Sequence, residues 1–170
     1  MSESIRVTHE LTDEERARLF GWGENIFGIE DGKYAWRPKD IHIILDVEGQ
    51  AASHVGLIDH TVTVAGREVR VAGVGAVVTN GELHGLGLAQ KTLRYAERYM
   101  CEEMSVEFGL LFCLDRLKPF YERQNWQLLS DPVEFEQPSG KMISPLNVMA
   151  LPCSTNVWPA GAVDLRSLPW

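Results

Sequence analysis

Alternating apolar and polar residues, or short apolar runs, occupy several stretches of the chain and predict β-strands. The predicted strands lie at residues 5–8, 41–46, 51–64, 69–79, 110–114, 126–129 and 142–151. The turn at 47–50 and Gly66 join the second, third and fourth of these strands as consecutive hairpins. Residues 131–140 are rich in turn-forming residues and are predicted to be an irregular connection before the last strand.

Apolar residues at helical spacing predict three helices between these strands. The first begins at Thr12, which three acidic residues follow, and it carries Leu19 and Phe20 inward. A short helix holds residues 119–121. The longest runs from 88 to about 104 and buries one face, marked by Leu88, Thr92, Tyr95, Ala96 and Tyr99.

The chain is organised around residues 71–90, which form a strand, a tight loop with Gly85 and Gly87, and the start of the longest helix. The first turn of a helix has amide hydrogens without partners, and small residues there let an anion approach them. A dinucleotide-binding loop would need a third glycine at Gln90, and a P-loop would need Gly-Lys-Ser/Thr, which is absent. The stretch therefore predicts a phosphate-binding loop of another kind.

The loop His84-Gly85-Leu86-Gly87-Leu88-Ala89 resembles the pyrophosphate loop of the GNAT acetyltransferase superfamily, written Arg/Gln-x-x-Gly-x-Gly/Ala. His84 departs from that pattern, which puts a side-chain contact with phosphate in doubt but leaves the backbone contacts. A second block at 109–126 is similar to the strand, short helix and strand that follow in that family. Tyr121 stands at the position of the tyrosine in the family's short helix. The resemblance covers roughly residues 7–151.

The resemblance implies an α/β fold: one GNAT domain over residues 1–170, with a central twisted, mostly antiparallel sheet flanked by helices. Residues 152–170 are expected to be a tail docked on this domain, because the tail carries several large apolar residues. Gly73 and Gly75 predict a bulge in the central strand. In the family that strand splays from its neighbour and admits acetyl-CoA, so the expected cofactor contacts are Ala76, Val77, Val78 and each residue of the loop from His84 to Ala89, namely His84, Gly85, Leu86, Gly87, Leu88 and Ala89.

The family's chemistry assigns three tasks to an N-acetyltransferase: removing a proton from the amine, stabilising the oxyanion and protonating the departing thiolate. The resemblance assigns Tyr121 as the general acid and the amides near Val77 and Val78 as oxyanion donors. The aminoglycoside 2′-N-acetyltransferases carry a glutamate as base, but Gly73 stands at that position. Glu82, His54, His60 or a chain of waters remain as alternatives, with His54 and His60 on the same face of one strand.

The acceptor is expected to be a primary amine of a small molecule, and amino sugars and aminoglycosides are preferred. This expectation rests on the acidic and aromatic loop that contains Asp31 and Trp36. It also rests on residues 163–170, which resemble the tail of the aminoglycoside 2′-N-acetyltransferases, where a terminal tryptophan, here Trp170, contributes its carboxylate. A weaker similarity to the nodulation N-acyltransferase leaves transfer of a longer acyl chain open. A non-catalytic acyl-CoA sensor is the alternative from another class.

Composition and charge limit the kinds of partner and the cellular compartment that we expect for this protein. A chain of 170 residues with 45% hydrophobic and 24% charged residues is typical of one globular domain. The net charge of −8 opposes nucleic-acid binding, and no apolar run is long enough to span a membrane. The first ten residues lack the apolar core of a signal peptide, so we expect a cytoplasmic protein. Analogy with the superfamily leaves a homodimer open.

The three cysteines, Cys101, Cys113 and Cys153, are widely spaced and form no Cys-x-x-Cys motif. An odd number at such spacing argues against a disulfide framework and against a structural zinc site, so all three are predicted to be buried thiols. Cys113 lies within an apolar strand and is predicted to be inert core rather than a nucleophile. The predicted chemistry needs no metal.

Overall fold

Strands make up most of the regular secondary structure of this protein. The structure is a computed structural model and describes residues 1–24, 26–28 and 33–170. The strands are β1 (Glu3–Thr8), β2 (Ile41–Val47), β3 (Gln50–Val64), β4 (Arg67–Thr79), β5 (Phe108–Cys113), β6 (Gln127–Leu128), β7 (Val133–Gln137), β8 (Gly140–Ile143), β9 (Asn147–Pro152) and β10 (Val163–Asp164). The helices are α1 (Asp13–Phe20), α2 (Leu88–Glu102) and α3 (Lys118–Glu122), and single 3-10 turns lie at Gly81–Leu83 and Asp115–Leu117.

The strands form one mixed sheet in the order β6-β9-β5-β4-β3-β10-β7-β8. β3 is 15 residues long, so β2 pairs with its first half and β10 with its last two residues. In the described chain only the β4–β5 and β10–β7 pairs are parallel. The predicted fold class, a mixed and mostly antiparallel sheet flanked by helices, is confirmed.

The two larger hydrophobic cores lie on opposite faces of the sheet, and two smaller clusters lie beneath α1 and beside the start of α2. α2 lies on one face and buries Leu88, Thr92, Leu93, Ala96 and Met100 against it. The other face packs β7, β10 and the residues that follow, including Leu165 and Trp170. α1 begins after Thr12, as predicted, and its start is a capping box in which Thr12 and Glu15 each accept a hydrogen bond from the other's backbone amide.

The central strand β4 changes its pairing near its middle. Its parallel ladder with β5 ends at Val74 opposite Leu111, although both strands continue. On its other side the register with β3 shifts between His54 and Gly56, and Ala76 takes a left-handed conformation with φ 49°. The predicted bulge and the separation of β4 from β5 are therefore confirmed, and the left-handed residue is Ala76 rather than a glycine.

Two predictions of secondary structure after residue 130 are wrong. Residues 131–140 contain β7, in which Val133 and Phe135 are buried, and β7 pairs antiparallel with β8. The alternation of these apolar residues with two glutamates is a strand signal, but the flanking prolines and glycine obscured it. The predicted strand at 142–151 is divided into β8 and β9 by a turn at 144–146.

The prediction for the cysteines is wrong for two of them. Cys101, near the end of α2, forms a disulfide with Cys153, which follows β9. The two residues are 52 positions apart, and they meet because α2 packs against β5, the strand that pairs with β9. Spacing along the sequence alone does not reveal this contact. Cys113 is a free, buried thiol, as predicted.

None of the described helices is long and apolar enough to cross a membrane.

Candidate functional site

Two pockets adjoin where β4 separates from β5. The loop pocket, of about 750 Å³, follows the end of β4 to the start of α2. The aromatic pocket, of about 1000 Å³, lies on the other side of Val77 and Tyr121 and is lined by aromatic residues from several elements. Val77, Leu117 and Tyr121 line both pockets. The two spaces therefore meet at the bulged strand and at the short helix α3.

Most of the residues predicted to contact the cofactor line the loop pocket. These are Val77, Val78, His84, Gly85, Gly87, Leu88 and Ala89. Ala76 lines the aromatic pocket instead. Leu86 is 47% exposed and lines neither pocket among the residues described, because the turn between the two glycines directs it to solvent. The loop is thus assembled around one cavity.

The backbone of the loop suits an anion. Gly85 and Gly87 have φ values of 83° and 75°, which few side chains tolerate, and Gly87 directly precedes α2. No Cβ covers the first-turn amides there, and the positive end of the helix dipole lies beside them. His84, at the position of the expected Arg or Gln, donates from Nε2 to the carbonyl of Thr79 at 2.8 Å, so it fixes the loop to β4.

Arg123 and Gln124 are members of the loop pocket that sequence reasoning missed. Lys91, in the first turns of α2, pairs with Glu3 at 2.9 Å on the surface instead of facing this pocket. Arg123 directly follows α3 and is exposed at the mouth of the pocket. Its place after the Phe-Tyr helix was the available signal, since that helix forms one wall of the cavity.

Tyr121 stands at the junction of the two pockets and is 5% exposed. Burial, followed by the nearby Cys113, raises the pKa of its hydroxyl above the ordinary range, so the group keeps its proton at neutral pH. Burial, with a smaller contribution from Asp115, raises the pKa of the Cys113 thiol to about 11. The thiol also contacts the sulfur of Met149 at 3.7 Å. The Tyr121 hydroxyl is therefore protonated and can donate a proton, whereas the protonated thiol of Cys113 is a poor nucleophile.

Two of the three residues predicted to bind the acceptor line the aromatic pocket. Trp36 packs edge-on against Tyr34, and the indole of Trp170 donates to the carbonyl of Leu110 at 2.9 Å. Asp31 lies outside the described residues. Lys39 was not predicted but lines the same pocket, and burial, aided by the charge of Arg37, lowers its pKa to about 8.

The three side chains considered as the general base are not among the described residues that line the two pockets. His54 is 1% exposed and both its ring nitrogens are engaged, with the Ala76 carbonyl at 2.7 Å and His42 at 2.9 Å. His60 similarly contacts the Leu165 carbonyl and Arg37. Glu82 lies in the exposed turn before the loop and lines neither pocket in the described part of the chain.

The arrangement favours chemistry on a long ligand with a phosphate group at one end and a reactive group at the junction. The loop supplies amides for phosphate, and beyond Val74 the edge of β4 that faces β5 has no ladder partner and can bond to the connecting arm. Across residues 1–24, 26–28 and 33–170, no cluster of three His, Cys, Asp or Glu side chains is placed to hold a metal ion.

Comparisons with known proteins agree with this geometry. Residues 11–129 match the protein family described as "Acetyltransferase (GNAT) domain". No curated protein matches the sequence significantly.

Similar solved structures include an acyl-CoA N-acyltransferase from Pseudomonas aeruginosa, with a TM-score of 0.59 and 17% identity over 88% of this chain and 99% of that chain. Another is the GNAT family N-acetyltransferase YhbS from Escherichia coli in complex with CoA, with a TM-score of 0.60 and 16% identity over 96% and 89%. A third is glucosamine-6-phosphate N-acetyltransferase from Arabidopsis thaliana, with a TM-score of 0.54 and 16% identity over 76% and 95%. At these identities the structures show a shared fold.

Proposed function

Because the chain belongs to the acetyltransferase (GNAT) family, and is therefore an acyltransferase of that family, we propose that it transfers the acetyl group of acetyl-CoA to a primary amine of a small molecule. The observation that carries this proposal is the meeting of two pockets at Val77 and Tyr121. A CoA thioester with its pyrophosphate at the loop would present its acyl group at this junction. An amine in the aromatic pocket would then face that group.

The residues divide the reaction as follows. The amine nitrogen attacks the thioester carbon, and backbone amide hydrogens of β4 near Val77 stabilise the negative oxygen that develops. The C–S bond then breaks, and the Tyr121 hydroxyl gives its proton to the departing thiolate. The position of Tyr121 supports this role because the residue lines both pockets at the junction where the thiolate would depart, and its hydroxyl carries a proton at neutral pH as tyrosines ordinarily do. The proton of the amine leaves to water in the pocket or to Lys39, whose pKa of about 8 allows a neutral fraction.

The acceptor we favour is an amino sugar or an aminoglycoside. The aromatic pocket offers flat apolar surface from Tyr34, Trp36 and Phe112, on which a sugar ring can stack. Its volume of about 1000 Å³ is at the upper end for small-molecule sites. The resemblance of residues 163–170 to the tail of the aminoglycoside 2′-N-acetyltransferases supports the same class.

The test is release of CoA thiol from acetyl-CoA over a panel of amines that includes glucosamine, aminoglycosides, polyamines and amino acids. We expect thiol release that depends on the amine and is fastest with an amino sugar or aminoglycoside. Faster release from octanoyl- or palmitoyl-CoA would replace the acetyl donor with a longer acyl chain. Binding of acetyl-CoA with no thiol release for any amine would contradict the proposed activity and favour an acyl-CoA sensor.

A further inference from the structure

The geometry points to a buried histidine pair, His42 and His54, as positioning residues that aim the Val77 amide hydrogen at the reacting carbonyl. The inference rests on the proposed acetyl transfer and adds to it the device that holds the oxyanion donor. Neither histidine is among the described residues that line the two pockets, so neither touches the substrates. Their effect passes through one peptide group of β4.

The contact between His54 and Ala76 fixes the direction of that peptide group. His54 Nδ1 donates to the Ala76 carbonyl at 2.7 Å. A peptide group is planar, and in the trans form its C=O and N–H bonds point in opposite directions. No cis peptide bond occurs in the described chain. The amide hydrogen of Val77 therefore points away from His54, and Val77 itself lines both pockets.

This peptide group needs a support because it lies in a strained bulge. Ala76 has a φ of 49°, in the left-handed region that residues with a side chain rarely adopt. The ladder with β5 has already ended at Val74, so β5 does not hold this part of β4. The register with β3 is interrupted at the same place, between His54 and Gly56. The side chain of His54 replaces the missing backbone restraint.

His42 determines which nitrogen of His54 carries the proton. The Ala76 carbonyl can only accept, so His54 Nδ1 must be protonated, and its Nε2 is left with a lone pair. His42 Nδ1 lies 2.9 Å from that Nε2 and donates to it. Both rings are buried, and burial lowers the pKa of each, so the pair is neutral at pH 7. A neutral His54 without His42 could hold its proton on the wrong nitrogen.

The test compares three variants in which buried hydrogen bonds to β4 are kept or removed. In His54→Asn the amide nitrogen takes the place of Nδ1 and can still donate to Ala76, whereas His54→Leu cannot. Ser53→Ala is the matched control, because Ser53 is a fully buried neighbour that bonds to the Val78 carbonyl at 3.1 Å, beyond the bulge.

We expect His54→Leu to lower kcat for the best acceptor by at least about tenfold, with the KM for acetyl-CoA changed by less than about threefold, as for loss of an oxyanion donor. His54→Asn and Ser53→Ala should keep kcat within about threefold of the wild type. Equal kcat in the wild type and His54→Leu, or equal losses in His54→Asn and His54→Leu, would overturn the inference.

A second measurement works without turnover, so it separates this inference from the proposed function. The protein is labelled with ¹⁵N-valine, and the amide signal of Val77 is followed as acetyl-CoA is added to the wild type and each His54 variant. We expect the signal to shift in the wild type and in His54→Asn and to stay in place in His54→Leu. If the wild type binds acetyl-CoA but turns over no amine, the proposed function fails while this comparison still decides the inference. An equal shift in all proteins would overturn it.

Discussion

Tyr121 holds the position on which both halves of the site depend, since it lines the two pockets and its hydroxyl carries a proton at neutral pH. Replacing it with phenylalanine keeps the ring in the core and removes only the hydroxyl. We expect Tyr121→Phe to lower kcat about 100-fold, within the range for a general acid, and to leave acetyl-CoA affinity unchanged. Thiol-release kinetics measure kcat, and calorimetric titration measures the affinity for acetyl-CoA. A variant with wild-type kcat would remove Tyr121 from the mechanism.

His54 also makes stability depend on pH. Its pKa is lowered from 6.5 to about 4 in the folded protein, chiefly by burial, while the Ala76 hydrogen bond acts the other way and the nearby His42, Lys39 and Arg16 charges add to the lowering. Between pH 6.5 and about 4, His54 is therefore protonated in the unfolded chain but neutral in the folded protein. Because the unfolded state binds the extra proton, the free energy of unfolding falls as the pH is lowered through this window.

The expected loss from His54 over that window is about 3 kcal/mol in the free energy of unfolding. Urea unfolding of the wild type and His54→Asn at a series of pH values isolates it, because other titrating groups contribute to both proteins. We expect the wild type to lose this much more than the variant as the pH falls. Parallel curves would show that His54 is not held neutral by the fold.

At the scale of elements, the loop before α2 is expected to bind phosphate through its backbone. Gly87→Ala places a Cβ over the amides at a φ of 75°, in otherwise open space. Gly49, in the turn between β2 and β3, has the same φ of 75° and the same open surroundings but lines neither the loop pocket nor the aromatic pocket. Gly49→Ala is thus a control with an equal conformational cost.

We expect Gly87→Ala to weaken acetyl-CoA binding about tenfold, equivalent to about 1.4 kcal/mol, while Gly49→Ala leaves the affinity unchanged. Both variants should lose a similar free energy of unfolding, about 1 kcal/mol, since both strain an L-residue in the left-handed region. The dissociation constants come from calorimetric titration and the stabilities from urea unfolding. Equal affinities in the two variants would mean that the loop does not contact the ligand.

At the scale of the whole molecule, the segment after β9 completes the second core and one wall of the aromatic pocket. Trp170 is 3% exposed, and its ring fills the space above Gly73, where an added Cβ would lie 2.5 Å from the ring. We expect Trp170→Ala to cost about 3–5 kcal/mol of the free energy of unfolding. Val157→Ala, at a position 83% exposed in the same segment, should change it by less than about 0.5 kcal/mol. Urea unfolding of both variants is the measurement, and equal stabilities would contradict the packing.

The strand, glycine loop and helix of residues 71–90 could be predicted because their signals are local. Short-range periodicity and turn chemistry give the elements, and two glycines in a strand indicate the bulge. The His42–His54 contact could not be predicted, since it depends on the register between β2 and β3, and a shift of one residue would turn either ring to the other face. The pairing of Cys101 with Cys153 was hidden for a similar reason, because it joins elements far apart in sequence.

The most direct test of the whole account is calorimetric titration of the wild-type protein with acetyl-CoA, with NAD as the comparison ligand. Acetyl-CoA binding requires both the loop pocket and the separation of β4 from β5, and it requires no knowledge of the acceptor. We expect one acetyl-CoA to bind per chain and NAD to give no binding heat. Failure to bind acetyl-CoA, or binding of NAD with equal affinity, would contradict the assignment of the site on which the proposed function depends.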